Sequence, residues 1–304
     1  MVLSIINANT LRGFKSIGYF SFIRNAINNL FVCLLIGLIA IGSFQLELAM
    51  IYTIGVVIAS IVSTFVVINK FTVLSENGHC DESRGTQFRS IFSVASPLFI
   101  SSFSFMALNW SDALIIGYFC DDIDVGIYAI VVKYAGLVLI GIAAVNSIVA
   151  PKLSEYWAEG ELVSISNVAQ NSALLGFVIS IPVILSLVLF PKFFLGLYGE
   201  DFIVGSRTLV IMVIGSAINV ICGSVGYILM MTDRQRVYRN ILLFAVVINL
   251  SLDFVLVPKY GILGAGIANA IGVVIWNLIS AFYILVHFKF WPGLSIVSFR
   301  SVLK

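Results

Sequence analysis

The stretch LVSISNVAQNSALLGFVISIPVILSLVLFP, Leu162–Pro191, runs for 30 residues without an Asp, Glu, Lys or Arg. A helix needs ~20 mostly apolar residues to cross ~30 Å of hydrocarbon at ~1.5 Å per residue. This segment therefore reads as a membrane span, and its neighbours read alike. Asn25–Leu46, Leu48–Asn69, Ser90–Ser111, Tyr134–Pro151, Thr208–Thr232, Asn240–Leu252 and Tyr260–Val286 are also free of charge. The whole chain agrees: of 304 residues, 60% are hydrophobic and 11% charged, with a mean hydropathy of +1.09. An ordinary soluble domain carries roughly 25% charge. That difference excludes a water-soluble enzyme, a secreted module, a disordered chain and a nucleic-acid binder.

The sequence thus predicts an all-α polytopic membrane protein with eight spans, at about 28–45, 48–69, 91–119, 125–149, 170–190, 207–231, 239–257 and 264–287. The seventh has the shortest uncharged core and reaches adequate length only by absorbing Asp253, after which Pro258 ends it. Before the spans, residues 1–24 place Arg12, Lys15 and Arg24 among Leu11, Phe14, Ile17, Phe20 and Ile23 at helical spacing. That is the pattern of a basic amphipathic segment at the membrane surface. The predicted organisation is then an amphipathic segment (1–24), a pair of helices (25–69), a loop (70–90), six further helices (91–288) and a tail (289–304).

Basic residues assign the sides. Arg12, Lys15, Arg24, Lys70, Arg84, Arg89, Lys152, Arg234, Arg236, Arg239, Lys289, Arg300 and Lys304 fall on one side of this eight-span arrangement, and only Lys192, Arg207 and Lys259 on the other. The positive-inside rule then predicts cytoplasmic N- and C-termini in the cell membrane.

Three charges remain inside the spans. Asp112 lies ~12 Å from the outer end of the third, and Lys133 ~13 Å into the fourth, which descends from the same side. An isolated charge in hydrocarbon is costly, so each must face the bundle interior, a wet cavity or the other. Two readings stand: a polar cavity in which Lys133 attracts an anionic substrate, or a structural ion pair between adjacent helices. Asp112 is also a candidate protonatable coupling site. Asp253, near the outer end of the seventh span, pairs with Lys133 or reaches interfacial water. Asparagines add to the list at Asn109, Asn146, Asn219, Asn249, Asn269 and Asn277, as cavity lining or as interhelical hydrogen-bonding groups. Lys133, Asp112, Asp253, Asn109 and Asn249 are the substrate or cavity candidates. Small residues cluster at Gly215, Ser216, Gly223, Ser224 and Gly226, and again from Gly261 to Gly272, where close helix packing or bending is expected.

Other chemistries find no support. Cys33, Cys80, Cys120 and Cys222 are far apart and form no CxxC, and His79 and His287 do not suggest one metal site. There is no GxxxxGK[ST] for ATP. The expectation is a non-enzyme with no catalytic residue, cofactor or metal.

The segment NWSDALIIGYFCDDIDVGIYAIVVKYAGLVLIGIAAVNSIVAPKLS, Asn109–Ser154, resembles the seventh and eighth helices of the polysaccharide-export (O-antigen type) flippases of the MATE-like superfamily. The shared features are an Asp followed by a small apolar run, VGIY after a short acidic loop, and a span ending in APKLS. LYGEDFIVGSRTLVIMVIG (Leu197–Gly215) and VPKYGILGAGIANAIG (Val257–Gly272) are similar to the family's outer loop with its following helix and to its twelfth-helix entry. NTLRGFKSIGYFSFIRNAINNLF resembles the approach to its fifth. The resemblance covers most of the chain and rests on the order and spacing of these segments.

It implies a MATE-like bundle corresponding to helices five to twelve: one complete six-helix C-lobe and two helices of the N-lobe, shortened at both ends. It also implies movement of a polyprenyl-phosphate- or pyrophosphate-linked oligosaccharide from the inner to the outer leaflet, with Lys133 suited to the anionic head. The implied partners are the bilayer, the lipid-linked oligosaccharide, and a missing N-lobe fragment, a second copy or polysaccharide assembly proteins. A cation-coupled multidrug antiporter and an inactive or partner-dependent membrane scaffold are the alternatives.

Overall fold

A computed structural model of the chain describes residues 84–294 continuously, with side chains from residue 95 on, together with helical residues 57, 58, 60–62, 64–66 and 68. The chain divides into two compact units, Met1–Arg84 and Gly85–Lys304. The expected spans at 28–45 and 48–69 and the amphipathic segment at 1–24 lie wholly or largely outside the described residues.

From Arg84 on, the described elements are all helical. They are α1 (Arg84–Phe119), α2 (Asp122–Leu137), α3 (Ile140–Glu159), α4 (Leu162–Leu189), α5 (Pro191–Gly196), a 3-10 turn (Glu200–Gly205), α6 (Ser206–Cys222), α7 (Val225–Met231), α8 (Gln235–Tyr260) and α9 (Ile262–Phe288). Among the described residues five helices are long and apolar enough to cross a membrane, or six if α2 and α3 form one bent span.

That bend corrects the expectation of a single span over 125–149. α2 and α3 meet at 52° across Val138–Leu139. A helix break strands a backbone carbonyl in hydrocarbon, which must find another donor. The Ser180 hydroxyl of α4 donates to the Val138 carbonyl at 2.6 Å. The close approach this needs is provided by glycine, since a Cβ on Gly141 would stand 2.9 Å from the Ile179 side chain and one on Gly176 2.8 Å from that of Ile142.

The expected span 207–231 is also broken. α6 stops at Cys222 and α7 starts at Val225, with Gly223 between them at φ 74° and ψ −143°. A side chain at that φ is strained, and a Cβ there would meet the Ala173 Cβ at 2.7 Å. The segment after α9 supports the break: the Leu294 N–H donates to the Ile221 carbonyl at 3.0 Å, and Gln170 donates to the Trp291 carbonyl at 3.0 Å. Between the expected spans at 125–149 and 170–190 the chain stays helical apart from a tight turn at Gly160–Glu161, where Gly160 takes φ 75°. Pro258 does not end α8, which continues to Tyr260 and turns at Gly261 with φ 56°.

The helices pack α8 on α9, α9 on α6, α6 on α4, and α4 on α3. Small residues make the closest approaches. Gly215 of α6 faces Ala270 of α9, and a Cβ on Gly264 would run into the Leu256 backbone of α8. α1 joins through side chains instead, with the Phe105 and Trp276 rings 6.3 Å apart and Phe119 and Phe254 6.2 Å apart. Two clusters of buried apolar residues fill the interior, one around Leu108, Ala245 and Ile284 and the other around Ile116, Val131 and Val213.

Candidate functional site

Between these two apolar clusters lies a polar one. Asp112 of α1 is completely buried, and its carboxylate accepts three hydrogen bonds. The Tyr128 hydroxyl of α2 donates to Oδ2 at 2.6 Å, Asn269 Nδ2 of α9 donates to the same oxygen at 2.7 Å, and Asn249 Nδ2 of α8 donates to Oδ1 at 3.2 Å. Ser111 donates to Asn249 Oδ1 at 3.2 Å, and Asn269 Nδ2 also reaches the Leu108 carbonyl at 3.2 Å. Four helices therefore converge on one carboxylate.

Asp253 of α8, one helical turn after Asn249, is equally buried and stands against Asp112. Neither of its oxygens has an N–H or hydroxyl donor, and its polar neighbour is the Asp112 carboxyl itself. Among the described residues no Lys or Arg pairs with either aspartate. Two adjacent carboxylates in hydrocarbon without a basic partner cannot both remain bare anions. At least one of them must be neutralised, by a proton or by a cation. The surrounding oxygens are hard ligands, suited to an alkali ion and not to a transition metal. Among the described residues no group of three or more His, Cys, Asp or Glu could hold a metal ion.

The other candidates separate from this cluster. Lys133 is exposed on α2 and makes no ion pair with Asp112 or Asp253. On an α-helix, five residues turn the direction by about 140°, so Tyr128 facing Asp112 carries Lys133 to a different side of α2. Asn109 is exposed and donates to the Phe105 carbonyl of its own helix at 2.7 Å. Asn249 belongs to the cluster, and Asn269 joins it. Asn146 accepts from Ser224 at the α6–α7 break, where Ser224 also meets Ser172 at 2.9 Å. Asn277 donates to the Val273 carbonyl at 2.8 Å, leaving its own carbonyl oxygen unpartnered. Sequence reasoning did not single out Tyr128, although it stands in the VGIY segment. A tyrosine within a span is ordinarily packing, and only its hydroxyl's position gives it a polar role.

A helical membrane lobe that buries an acidic pair with its own hydrogen-bonding shell is built like part of a solute transporter. The comparisons with known proteins agree. The chain belongs to the MATE-like flippase superfamily: the MatE family model matches residues 97–255, more than half of the chain, and the polysaccharide biosynthesis protein model matches residues 8–157.

The chain is 25% identical over 197 residues to a protein of Haloferax volcanii described as a probable low-salt glycan biosynthesis flippase, Agl15, covering 64% of this chain and 42% of that one. It is 22% identical over 246 residues to the same organism's probable flippase AglR, covering 78% and 51%. The chain thus spans about half the length of these curated relatives or less. In fold it is similar to the crystal structure of a mutant of the Vibrio cholerae MATE transporter VcmN, with a TM-score of 0.71 and 15% identity over 94% of this chain and 64% of that one.

Proposed function

We propose that the chain is a lobe-bearing part of a flippase that moves a polyprenyl-phosphate- or pyrophosphate-linked oligosaccharide from the inner to the outer leaflet of the cell membrane, with its termini on the cytoplasmic side. The observation that carries the cargo is that both curated relatives are described as flippases, one of them in glycan biosynthesis. The polysaccharide biosynthesis family model on residues 8–157 supports it.

The buried acidic pair supplies the coupling. α1 is held to α2, α8 and α9 largely by side chains, and the Asp112 hydrogen bonds are its central tether. Adding or removing a cation or proton between Asp112 and Asp253 changes the charge that those bonds serve, and so the position that α1 prefers. Lys133 serves the cargo. An ammonium exposed ~16 Å from the start of α2 cannot rest in lipid and needs a wet cavity, where it attracts the anionic head. Rocking-bundle transport takes two lobes, and the unit 85–304 provides one.

The test is glycan display in cells whose export depends on the chain in its native, fully assembled setting. Lys133→Ala should lower surface glycan several-fold while lipid-linked precursor accumulates on the inner leaflet. Unchanged display at equal protein level would remove Lys133 from the mechanism. The MATE-transporter fold favours a second reading, cation-driven drug export, which predicts ion-dependent efflux of organic cations and no precursor accumulation.

A further inference from the structure

Three polar atoms on α9 are buried and unpartnered: Trp276 Nε1, Asn277 Oδ1 and Ser280 Oγ. They are neighbours, one turn or less apart. Together they offer an N–H donor, a carbonyl acceptor and a hydroxyl that can do both. Buried polar groups in native proteins are satisfied by protein or by ordered water, so three adjacent orphans call for water.

Their placement is directional. At about 100° per residue, Trp276 and Ser280 fall within about 20° of Asn269 on the helix surface. Asn269 holds Asp112, so the stripe begins at the acidic pair and runs toward the Phe288 end of α9. α1 carries a matching stripe. Leu108 meets Asn269 and Phe105 meets Trp276. Continuing that antiparallel register by one turn sets Ser101 level with Ser280, with Ser104 between. Ser101 and Ser104 are both buried, and each donates to its own helix, to the Pro97 and Ile100 carbonyls, leaving oxygen lone pairs free to accept. Ser101 lies about 20° from Asp112 on the surface of α1, eleven residues or ~16 Å away. On the α8 side the facing residues are Ala245, Leu242 and Ile241, with the Tyr238 ring against Trp276 and its hydroxyl turned away toward Gly226.

We propose that this α1–α9 seam is a hydrated column, lined by Trp276, Asn277, Ser280, Ser104 and Ser101, that carries water and the coupling proton or alkali cation between the acidic pair and the side bearing Arg234 and Lys289. The proposal rests on the reading of Asp112 and Asp253 as the coupling site. It gives that site a single-sided access route, as alternating access requires. Asn269 is the junction, bonded to Asp112 above and in line with Trp276 below.

The experiment uses the full chain, with its four cysteines replaced by alanine, in membrane vesicles of each orientation. The probe is Ag⁺, a thiol-reactive cation close in size to the ions at issue. Ser280→Cys and Ser101→Cys should be consumed at least tenfold faster than Ala245→Cys, which is equally buried at the same level on the dry side. They should react from the side bearing Arg234 and Lys289. Adding Asn277→Leu should slow the reaction at Ser280→Cys. Equal rates for Ser280→Cys and Ala245→Cys overturn the proposal, and so does reaction from the opposite side only. If Ser280→Cys is accessible but no ion alters the stability of the wild-type chain, the column stands as a water path and the coupling reading falls.

Discussion

The two buried aspartates are chemically alike, yet the same isosteric change should move stability in opposite directions. Asp112 accepts three hydrogen bonds on two oxygens, from Tyr128 and Asn269 on Oδ2 and from Asn249 on Oδ1. In Asp112→Asn one oxygen becomes an NH₂ group. If the remaining oxygen keeps Tyr128 and Asn269, the Asn249 donor faces another donor and is orphaned, at a cost of about 1–3 kcal/mol. The two surviving bonds lose their charge assistance, about 1 kcal/mol each. These terms add to about 3–5 kcal/mol, and neutralising one member of the acidic pair returns part of that, leaving about 3 kcal/mol destabilising.

Asp253 has no N–H or hydroxyl donor of its own and stands against the Asp112 carboxyl. Asp253→Asn replaces the proton or cation shared with Asp112 by an NH₂ that donates to Asp112 permanently, for about 1 kcal/mol of stabilisation where no cation is supplied. The assay is the apparent melting temperature of each purified variant in detergent, followed by fluorescence-detected size exclusion, at about pH 8 with choline as the only added cation. Wild type should fall between the two variants. Adding sodium or potassium should raise the wild-type value and leave Asp253→Asn nearly unmoved, because a ligand of the native state stabilises only where its site exists. If Asp253→Asn loses as much stability as Asp112→Asn, the asymmetric assignment of hydrogen bonds in the cluster is wrong.

Three further outcomes are expected. Gly223→Ala should destabilise the chain by about 3 kcal/mol, combining strain at φ 74° with a 2.7 Å approach to Ala173, whereas Gly126→Ala, inside α2 with open space around it, should stabilise by about 0.5–1 kcal/mol. Ser180→Ala should cost about 1 kcal/mol by stranding the Val138 carbonyl at the α2–α3 bend, and should raise amide exchange at Ala143, whose N–H bonds the Leu139 carbonyl just past that bend. Cys120, between α1 and α2, has its thiol pushed up by partial burial and by Asp124 and Asp121. Maleimide alkylation of that thiol at neutral pH should therefore be slow, and neutralising both acids to Asn should speed it several-fold, since the thiolate reacts. Labelling by an impermeant maleimide from outside the cell tests the orientation in the same experiment.

Much of the architecture was legible because hydrocarbon imposes a simple filter. Runs such as Leu162–Pro191 cannot be anything else in a chain with 11% charge. The helix breaks were less legible. Gly223 and Gly160 sit at turns that glycine invites, yet Gly136, Gly141 and Gly176 look the same in sequence and lie within helices. What sets Gly223 apart is the Trp291–Leu294 segment, some 70 residues later, bonded to Ile221 beside the break and to Gln170 of α4. That partner is tertiary.

The site divides along the same line. Asp112, Asp253 and Asn249 of the buried cluster stood out in the sequence because they are costly in a membrane wherever they point, but so did Lys133 and Asn109, which are not in it. Their grouping was not legible. Depth along the bilayer can be counted from sequence at ~1.5 Å per residue, and depth alone set Asp112 level with Lys133. Rotation about the helix axis cannot be counted in that way, because nothing local to an apolar span fixes which side faces its neighbours. Packing of α8 and α9 through Gly264 and Gly272 fixes that rotation. It brings Asn249, Asp253 and Asn269 to Asp112, while the rotation of α2 that aims Tyr128 inward turns Lys133 away. By itself the sequence determined that this is a membrane bundle with a few expensive polar residues. Only the tertiary structure decided that two acids stand together in one buried cluster and the lysine does not join them.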